Sequence, residues 1–215
     1  MFALISPEKT QIPAGAVVRI PGTWEEYQTL CQQRGDRTIP RLKYRNGEVI
    51  IMSPLPKHGQ DAHVIASIIT TLLDYVQREF DAFTPITMEL PEESGIEADY
   101  CFYIDNWQAI SGKNRIIWTV DPPPDLVLEI DVTSYTHIND YLPYQVPEIW
   151  LYKQKQLLIY QLQQNSYLLQ SYSHYFPHFD IHEIVEQSLQ TAYNRNTSAA
   201  IRELRKFLNS AEIKN

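Results

Sequence analysis

The 215-residue sequence has few of the residues from which several common kinds of functional site are built. Only two cysteines occur, Cys31 and Cys101, and neither has a second cysteine or a histidine at the spacing of a zinc or redox motif, so both are expected to be reduced, buried and inert. The seven glycines form no GxSxG, no phosphate-binding glycine loop and no GxGxxG. These absences argue against serine hydrolases, nucleoside triphosphatases and dinucleotide-dependent enzymes.

Long apolar runs are also missing. Apolar stretches such as those near Ile116 and Val127 are far too short to span a bilayer. The N-terminal residues lack the basic start and the sustained apolar stretch of an export signal. We therefore expect a cytoplasmic protein with no membrane partner.

Basic residues are in deficit, with 18 Lys and Arg against 26 Asp and Glu, for a formal net charge of −8. Such a charge weighs against strong non-specific binding of nucleic acid, although a bound metal ion or a local basic patch would offset it. Hydrophobic residues make up 44% of the chain and charged residues 20%, which is typical of a folded protein and not of a disordered one.

The pattern of apolar residues predicts an α/β fold with a mixed β-sheet flanked by α-helices. Residues 1–21 contain three prolines and no clear periodicity, and are expected to form an N-terminal arm before a single domain over 22–215. The predicted elements are a helix over 24–34 capped by Thr23 and Glu26, a hairpin around Asn46 and Gly47, a long helix over 58–80, strands at 83–90, 96–104, 125–132, 148–153, 156–162 and 167–173, and helices over 181–193 and 197–208.

Carboxylates occur within two of the predicted strands. Side chains alternate between the two faces of a strand, so Glu129 and Asp131 are expected to point the same way, opposite Leu128 and Ile130. The same counting places Asp99 on one face of its strand together with Glu97 and Cys101. If the two strands are neighbours, Asp99 meets Glu129.

Ionised carboxylates inside apolar strands require a positive partner, because burial removes several kcal/mol of solvation. From Ile116 through Tyr152 the sequence contains no Lys or Arg. Two sources of positive charge remain open at this point. Arg41, Lys43 or Arg45 of the hairpin could form a structural ion pair, or the partner is a bound cation, for which oxygen ligands favour Mg²⁺, Mn²⁺ or Ca²⁺.

Four segments, GEVIIMSPLPKHG, GIEADYCFYIDN, DPPPDLVLEIDVTS and VPEIWLY, occur in that order within about residues 40–162. Together they resemble the Uma family of predicted PD-(D/E)xK endonucleases, which has a restriction-endonuclease-like fold. The resemblance implies hydrolysis of phosphodiester bonds in nucleic acid, DNA in the first instance, with Mg²⁺ or Mn²⁺ held by Asp99 and Glu129. It also implies, by analogy, a homodimer.

The resemblance is incomplete at the position two residues after Glu129, where the family pattern has a lysine and this chain has Asp131. Asp131 is then either a third metal ligand, a sign of impaired catalysis, or a cap for the turn that follows the strand. Tyr135 and His137 are the nearby stand-ins for the lysine.

Two further residues match family-like positions. His58, at the start of the long helix, is expected either to line the cleft or to be a surface residue, and Glu48 either contributes to the site from the hairpin or is an exposed strand residue. The leading hypothesis is a metal-dependent nuclease. The alternatives are a catalytically impaired nuclease-fold protein acting as a binding or assembly module, and a metal-dependent hydrolase of small phosphodiesters.

Overall fold

A computed structural model of the protein describes residues 12–35, 37, 39–131 and 136–212. It contains two β-sheets with helices packed against them. No helix in these ranges is both long and apolar enough to cross a membrane. The strands are β1 Val17–Pro21, β2 Arg41–Arg45, β3 Glu48–Met52, β4 Asp81–Phe83, β5 Ile86–Leu90, β6 Ser94–Ala98, β7 Tyr100–Tyr103, β8 Leu126–Asp131, β9 Glu148–Lys153, β10 Gln156–Gln163 and β11 Ser166–Gln170, and the helices are α1 Trp24–Arg34, α2 Pro56–Tyr75, α3 Trp107–Ile110, α4 Ile181–Asn194 and α5 Thr197–Glu212.

The six-stranded sheet has the order β11-β10-β9-β8-β7-β4. Its pairs are antiparallel except for β8 and β9, which run parallel with Leu126 opposite Glu148. Every residue of β8 is buried. A nearly continuous apolar run is typical of such a central strand, covered on both faces.

Helices α2, α4 and α5 cover one face of this sheet, where Leu128 and Ile130 join the largest apolar cluster of the protein. Val127, which points the other way, packs in a second cluster with Cys101 and Tyr141. The alternation predicted for β8 is therefore confirmed, and Glu129 lies on the Val127 side.

The five-stranded sheet has the order β1-β3-β2-β6-β5 and is antiparallel throughout. Helix α1 packs on one of its faces, and its predicted capping box between Thr23 and Glu26 is present. The hairpin of β2 and β3 turns at Asn46 and Gly47, with φ angles of 50° and 75°. Glycine and asparagine tolerate these positive values, which confirms the predicted tight turn.

Both cysteines are free thiols. Cys101 is buried, as predicted, whereas Cys31 is only half-buried. Burial raises the pKa of Cys31 to about 11 and also raises that of Cys101, so neither thiol forms a thiolate readily near neutral pH.

Three predicted elements differ from the observed ones. The strand predicted at 83–90 is divided at Pro85 between β4 and β5, which lie in different sheets, because proline cannot donate a hydrogen bond to a sheet ladder. The strand predicted at 96–104 is divided at Asp99 into β6 and β7. The long helix ends at Tyr75 and not at residue 80, since Gln77 adopts a positive φ of 56° that interrupts the helical backbone.

The N-terminal region differs as well. Residues 1–21 were predicted to form an irregular arm, but Val17–Pro21 is strand β1, which pairs with β3 along its whole length. The β-branched residues Val17, Val18 and Ile20 favour a strand, and Pro21 ends an edge strand, where a missing N–H is tolerated. Residues 1–11 lie outside the described ranges.

Gly95 in β6 lies directly beneath the ring of Tyr27, a fully buried residue of α1. A Cβ atom added at Gly95 would come within 2.5 to 2.7 Å of the Tyr27 hydroxyl and ring. We expect Gly95→Ala to lower the free energy of unfolding by about 1 to 3 kcal/mol through overpacking, as measured by urea denaturation. Gly59→Ala is the control, because Gly59 is exposed in α2 with nothing within 4 Å of the added carbon, and this change should raise stability by about 0.5 to 1 kcal/mol.

Candidate metal and phosphate site

The chain crosses from one sheet to the other at Asp99. Strand β6 of the five-stranded sheet ends at Ala98, and β7 of the six-stranded sheet begins at Tyr100. Strand β7 pairs with β8, with Tyr100 opposite Leu128, so Asp99 is brought next to Glu129. The condition stated from the sequence, that the two carboxylate-bearing segments are neighbours, is met.

Asp99 is 1% exposed and has three partners. Its Oδ1 atom contacts a guanidinium nitrogen of Arg41 and lies 2.7 Å from His58 Nε2, which donates a hydrogen bond to it. Its Oδ2 atom accepts a hydrogen bond of 2.8 Å from the backbone N–H of Ile130. The carboxylate is therefore held from the hairpin, from the start of α2 and from β8.

These contacts keep Asp99 ionised. Burial alone would raise its pKa, but the His58 hydrogen bond and the charge of Arg41 outweigh burial and hold the pKa below its usual value. Burial likewise favours the neutral form of Arg41, yet the charges of Asp99 and Glu129 raise the pKa of the guanidinium. Of the two sources of positive charge left open by the sequence, the arginine of the hairpin is therefore present at Asp99.

Glu129 has a different environment. It is 7% exposed, and its Oε1 atom accepts a hydrogen bond from the hydroxyl of Tyr141, a neutral donor. Burial, followed by the charge of Asp99, raises the pKa of Glu129 to about 8, against the weaker opposing influence of Tyr141, Lys43 and Arg41. Arg41 forms its ion pair with Asp99, so this buried carboxyl is not matched by a bonded cation among the described residues.

Asp131 lies on the same cavity as Glu129 but is bonded elsewhere. Its Oδ2 atom lies 3.0 Å from Lys153 Nζ, which is opposite Asp131 in the parallel register of β8 and β9, and accepts a 3.2 Å hydrogen bond from Thr136 N–H. The expectation that Asp131 caps the turn after β8 is thus met. The expected set of three carboxylate ligands is not found, because the described residues include no group of three or more His, Cys, Asp or Glu side chains that could hold a metal ion.

Two further acidic residues, Glu48 and Glu97, have arginine partners other than Arg41. Glu48 is at the turn end of the hairpin, opposite Arg45 and 3.9 Å from Arg19, whereas Arg41 is at the other end. The predicted contribution of Glu48 to the site is therefore not supported by its position. Glu97 lines the same cavity as Glu129, but its carboxylate contacts Arg34 of α1 and accepts a hydrogen bond from the backbone N–H of Leu42.

Of the two expected stand-ins for the missing lysine, His137 lies away from the cluster. His137 is exposed at the start of a 3₁₀ segment, Ile138–Tyr144. Tyr135 falls outside the described residues. His58, in contrast, is buried and bonded to Asp99, so of its two sequence interpretations the cleft position is the observed one.

The 3₁₀ segment supplies two residues that sequence reasoning missed. Asp140 contacts Lys43 and Arg45 of β2, and the adjacent Tyr141 contacts Glu129 of β8, so one short segment joins both sheets. The contact of Lys153 with Asp131 was also missed. Lys153 directly follows the stretch without Lys or Arg, and only the pairing of β9 with β8 places it opposite Asp131. A cavity of about 50 Å³ lies beside Glu129, and the polar and charged residues of its lining are Arg41, Lys43, His58, Glu97, Glu129, Asp131 and Thr136.

The donor set fits a hard divalent cation bound through two carboxylates. Mg²⁺ is commonly held by one or two carboxylates and completes its shell with water and substrate phosphate, so a third side-chain ligand is not required. Glu129 faces the cavity as a buried carboxyl without a bonded cation, and Asp99 lies beside it. Divalent charge at this point would stabilise the ionised form of Glu129 that burial now disfavours.

This chain resembles known proteins both in fold and in sequence. The chain is similar to the crystal structure of "a putative nuclease belonging to DUF820" from Anabaena variabilis ATCC 29413, with a TM-score of 0.52 and 17% sequence identity over 77% of this chain and 98% of that chain. This likeness supports the predicted restriction-endonuclease-like α/β fold, here with its strands divided between two sheets. A sequence model of the Uma2 family, described as "Putative restriction endonuclease", matches residues 24–194. The chain belongs to the Uma2 family. No curated protein matches it.

Proposed function

We propose that this protein is a divalent-metal-dependent endonuclease that hydrolyses phosphodiester bonds of nucleic acid, DNA in the first instance, with Mg²⁺ or Mn²⁺ held by Asp99 and Glu129. Membership of the Uma2 family and the restriction-endonuclease-like fold support the nuclease class. The observation that carries the metal assignment is the position of Glu129, a buried carboxyl that faces the cavity next to Asp99 and has no bonded cation among the described residues. Burial and the charge of Asp99 raise its pKa to about 8.

Hydrolysis adds a water oxygen to phosphorus, breaks one P–O ester bond and leaves a proton on the departing oxygen. A bound Mg²⁺ or Mn²⁺ supplies positive charge for the phosphate and lowers the pKa of the attacking water. Within the chain, His58 and the Ile130 N–H fix the orientation of Asp99, and the Tyr141 hydroxyl fixes that of Glu129. The protein thus holds both carboxylates in place before any substrate arrives.

Arg41 contacts Asp99 and also lines the cavity. A guanidinium group has five N–H donors in a planar fork. It can therefore retain Asp99 while further donors face a phosphate oxygen, the kind of anion that arginine binds best.

The nuclease proposal predicts a metal response that depends on Glu129. We expect saturating Mn²⁺ to raise the melting temperature of the unchanged protein by several degrees at pH 8 and to permit cleavage of DNA, because an ion that binds only the native state stabilises it. Glu129→Gln should abolish both effects, with cleavage reduced at least about a hundredfold. Differential scanning fluorimetry and gel assays with single- and double-stranded DNA and RNA measure these outcomes.

Glu48→Gln is the matched control. It removes one carboxylate of the same chemistry from the turn end of the hairpin and should leave the metal response and the cleavage rate unchanged. Absence of a melting shift in Mn²⁺, or an equal shift in Glu129→Gln, would remove the metal site from the proposal.

A second candidate function is a nuclease-fold protein that binds nucleic acid or assembles with it without cutting. It is favoured by two ion pairs. Arg41 already neutralises Asp99, and the position at which the family has a lysine is Asp131, which pairs with Lys153. This alternative predicts that DNA is bound but never cleaved in Mg²⁺ or Mn²⁺. The homodimer and the cytoplasmic location stay predictions.

A further inference from the structure

Two cations line the cavity beside Glu129, and both come from β2. Arg41 and Lys43 are two residues apart on one strand, so their side chains emerge from the same face of the five-stranded sheet. Lys43 and Glu129 line the same cavity. The cavity is therefore flanked by acidic groups from β8 and basic groups from β2.

The two cations differ in how much it would cost to move each one away from its present carboxylate partner. Arg41 is paired with Asp99, whose side chain is only 1% exposed. If Arg41 moved away, the buried carboxylate of Asp99 would lose its cationic partner from the hairpin. Lys43 shares the carboxylate of Asp140 with Arg45, each contacting a different oxygen. If Lys43 turns away, Arg45 remains on Asp140, and the cost of an unpaired buried charge is avoided.

Lys153 is the competing lysine. It lies 3.0 Å from Asp131 as the cation opposite that carboxylate in the β8–β9 register. The described residues that line the cavity include Lys43 but not Lys153. Lys153 is placed to neutralise Asp131, and Lys43 is placed to meet a ligand.

A phosphodiester brings one more negative charge to a cavity that already contains Glu129 and Asp131. Charge that builds up on the phosphate oxygens needs a nearby donor with positive charge. Lys43, at 18% side-chain exposure, is close to the surface and carries three N–H donors on a flexible stem.

We propose that Lys43 contacts a non-bridging oxygen of the phosphate held in this cavity, and that Asp140 and Arg45 position Lys43 when no substrate is bound. This assignment rests on the proposed nuclease function, whose reaction it deepens. It gives the site a lysine from β2 in place of the one that position 131 lacks.

The experiment measures how the binding of a short fluorescein-labelled DNA duplex depends on salt, in Ca²⁺ by fluorescence anisotropy, together with the cleavage rate in Mn²⁺. Lys43→Met should lower the salt slope by about 1, the loss of one phosphate contact, and slow cleavage about a hundredfold. Lys43→Arg should keep the slope. Lys113→Met, which removes the same charge from an ion pair with Asp121 outside the cavity lining, should leave both quantities unchanged.

A structural role of Lys43 is tested by Asp140→Asn, which removes the carboxylate that Lys43 shares with Arg45. It should reduce stability but retain the salt slope, because Lys43 still carries its charge to the phosphate.

If the slope and the rate fall in Lys153→Met and not in Lys43→Met, Lys153 is the phosphate contact and the assignment is wrong. Cleavage that persists with an unaltered slope in Lys43→Met refutes the Lys43 assignment alone, whereas a complete lack of Mn²⁺-dependent cleavage by the unchanged protein refutes the nuclease on which it rests.

Discussion

Replacing Glu129 with glutamine is expected to make the metal-free protein more stable at pH 8, by on the order of 3 kcal/mol. The folded-state pKa of Glu129, about 8, is above the ordinary value of 4.5. Between these values the folded state retains a proton that the unfolded state has released, so stability declines as the pH rises, by up to about 1.4 kcal/mol per pH unit. Glutamine carries no such proton. Guanidinium denaturation at a series of pH values in EDTA measures the difference.

At pH 4 and below, Glu129→Gln and the unchanged protein should have nearly equal stability, because Glu129 is then mostly neutral in both the folded and the unfolded state. Glu48→Gln, whose carboxylate is partly exposed beside Arg19, should follow the unchanged protein at every pH. Curves for Glu129→Gln and the unchanged protein that run parallel from pH 5 to 8 would contradict the raised pKa.

Replacing Asp99 with alanine is expected to destabilise the protein by about 3 to 5 kcal/mol at neutral pH. The change leaves the buried guanidinium of Arg41 without its ion-pair partner and removes the acceptor of the Ile130 N–H hydrogen bond. It also deletes one of the two proposed metal ligands, so the melting shift in Mn²⁺ should be lost together with stability. Chemical denaturation at pH 7 with and without Mn²⁺ measures both effects.

The control for this change is Asp105→Ala. Asp105 also forms an ion pair with an arginine, Arg78, but both side chains are substantially exposed, and exposed pairs contribute no more than about 1 kcal/mol. A double variant of Asp99→Ala with Arg41→Met should recover part of the loss, because the unpaired charge is then absent. Equal losses at Asp99 and Asp105 would show that burial of the Asp99 pair has no energetic consequence.

Local sequence signals predicted much of the fold. The capping box at Thr23 and Glu26, the Asn46-Gly47 turn and the continuous apolar run of β8 each specify an element through contacts made within a few residues, and each is present. The division into two sheets could not be read in this way. It depends on the interruptions at Pro85 and Asp99, and the second of these is a bend at a residue that by itself is compatible with a strand.

The carboxylate pair of the site could be proposed from the sequence because Asp99 directly precedes β7 and Glu129 lies in β8, and these two strands pair. Their partners were not, since they come from distant parts of the chain. Arg41 appeared only as one of three basic residues of the hairpin, while Tyr141 and Lys153 had no local feature that tied them to Glu129 or Asp131. Their roles arise from the parallel pairing of β8 with β9 and from the 3₁₀ segment between those strands, neither of which a local pattern reveals.

Strand β1 has a practical consequence for where the chain can be shortened. The match to the family begins at residue 24, which suggests Trp24 as a natural starting point for a trimmed protein. Such a version would lack Val17, which forms part of the cavity wall, and would expose the backbone edge of β3 that β1 now covers. Unpaired strand edges associate with other chains, so trimming to the family boundary would favour self-association and open the cavity beside Glu129 to solvent.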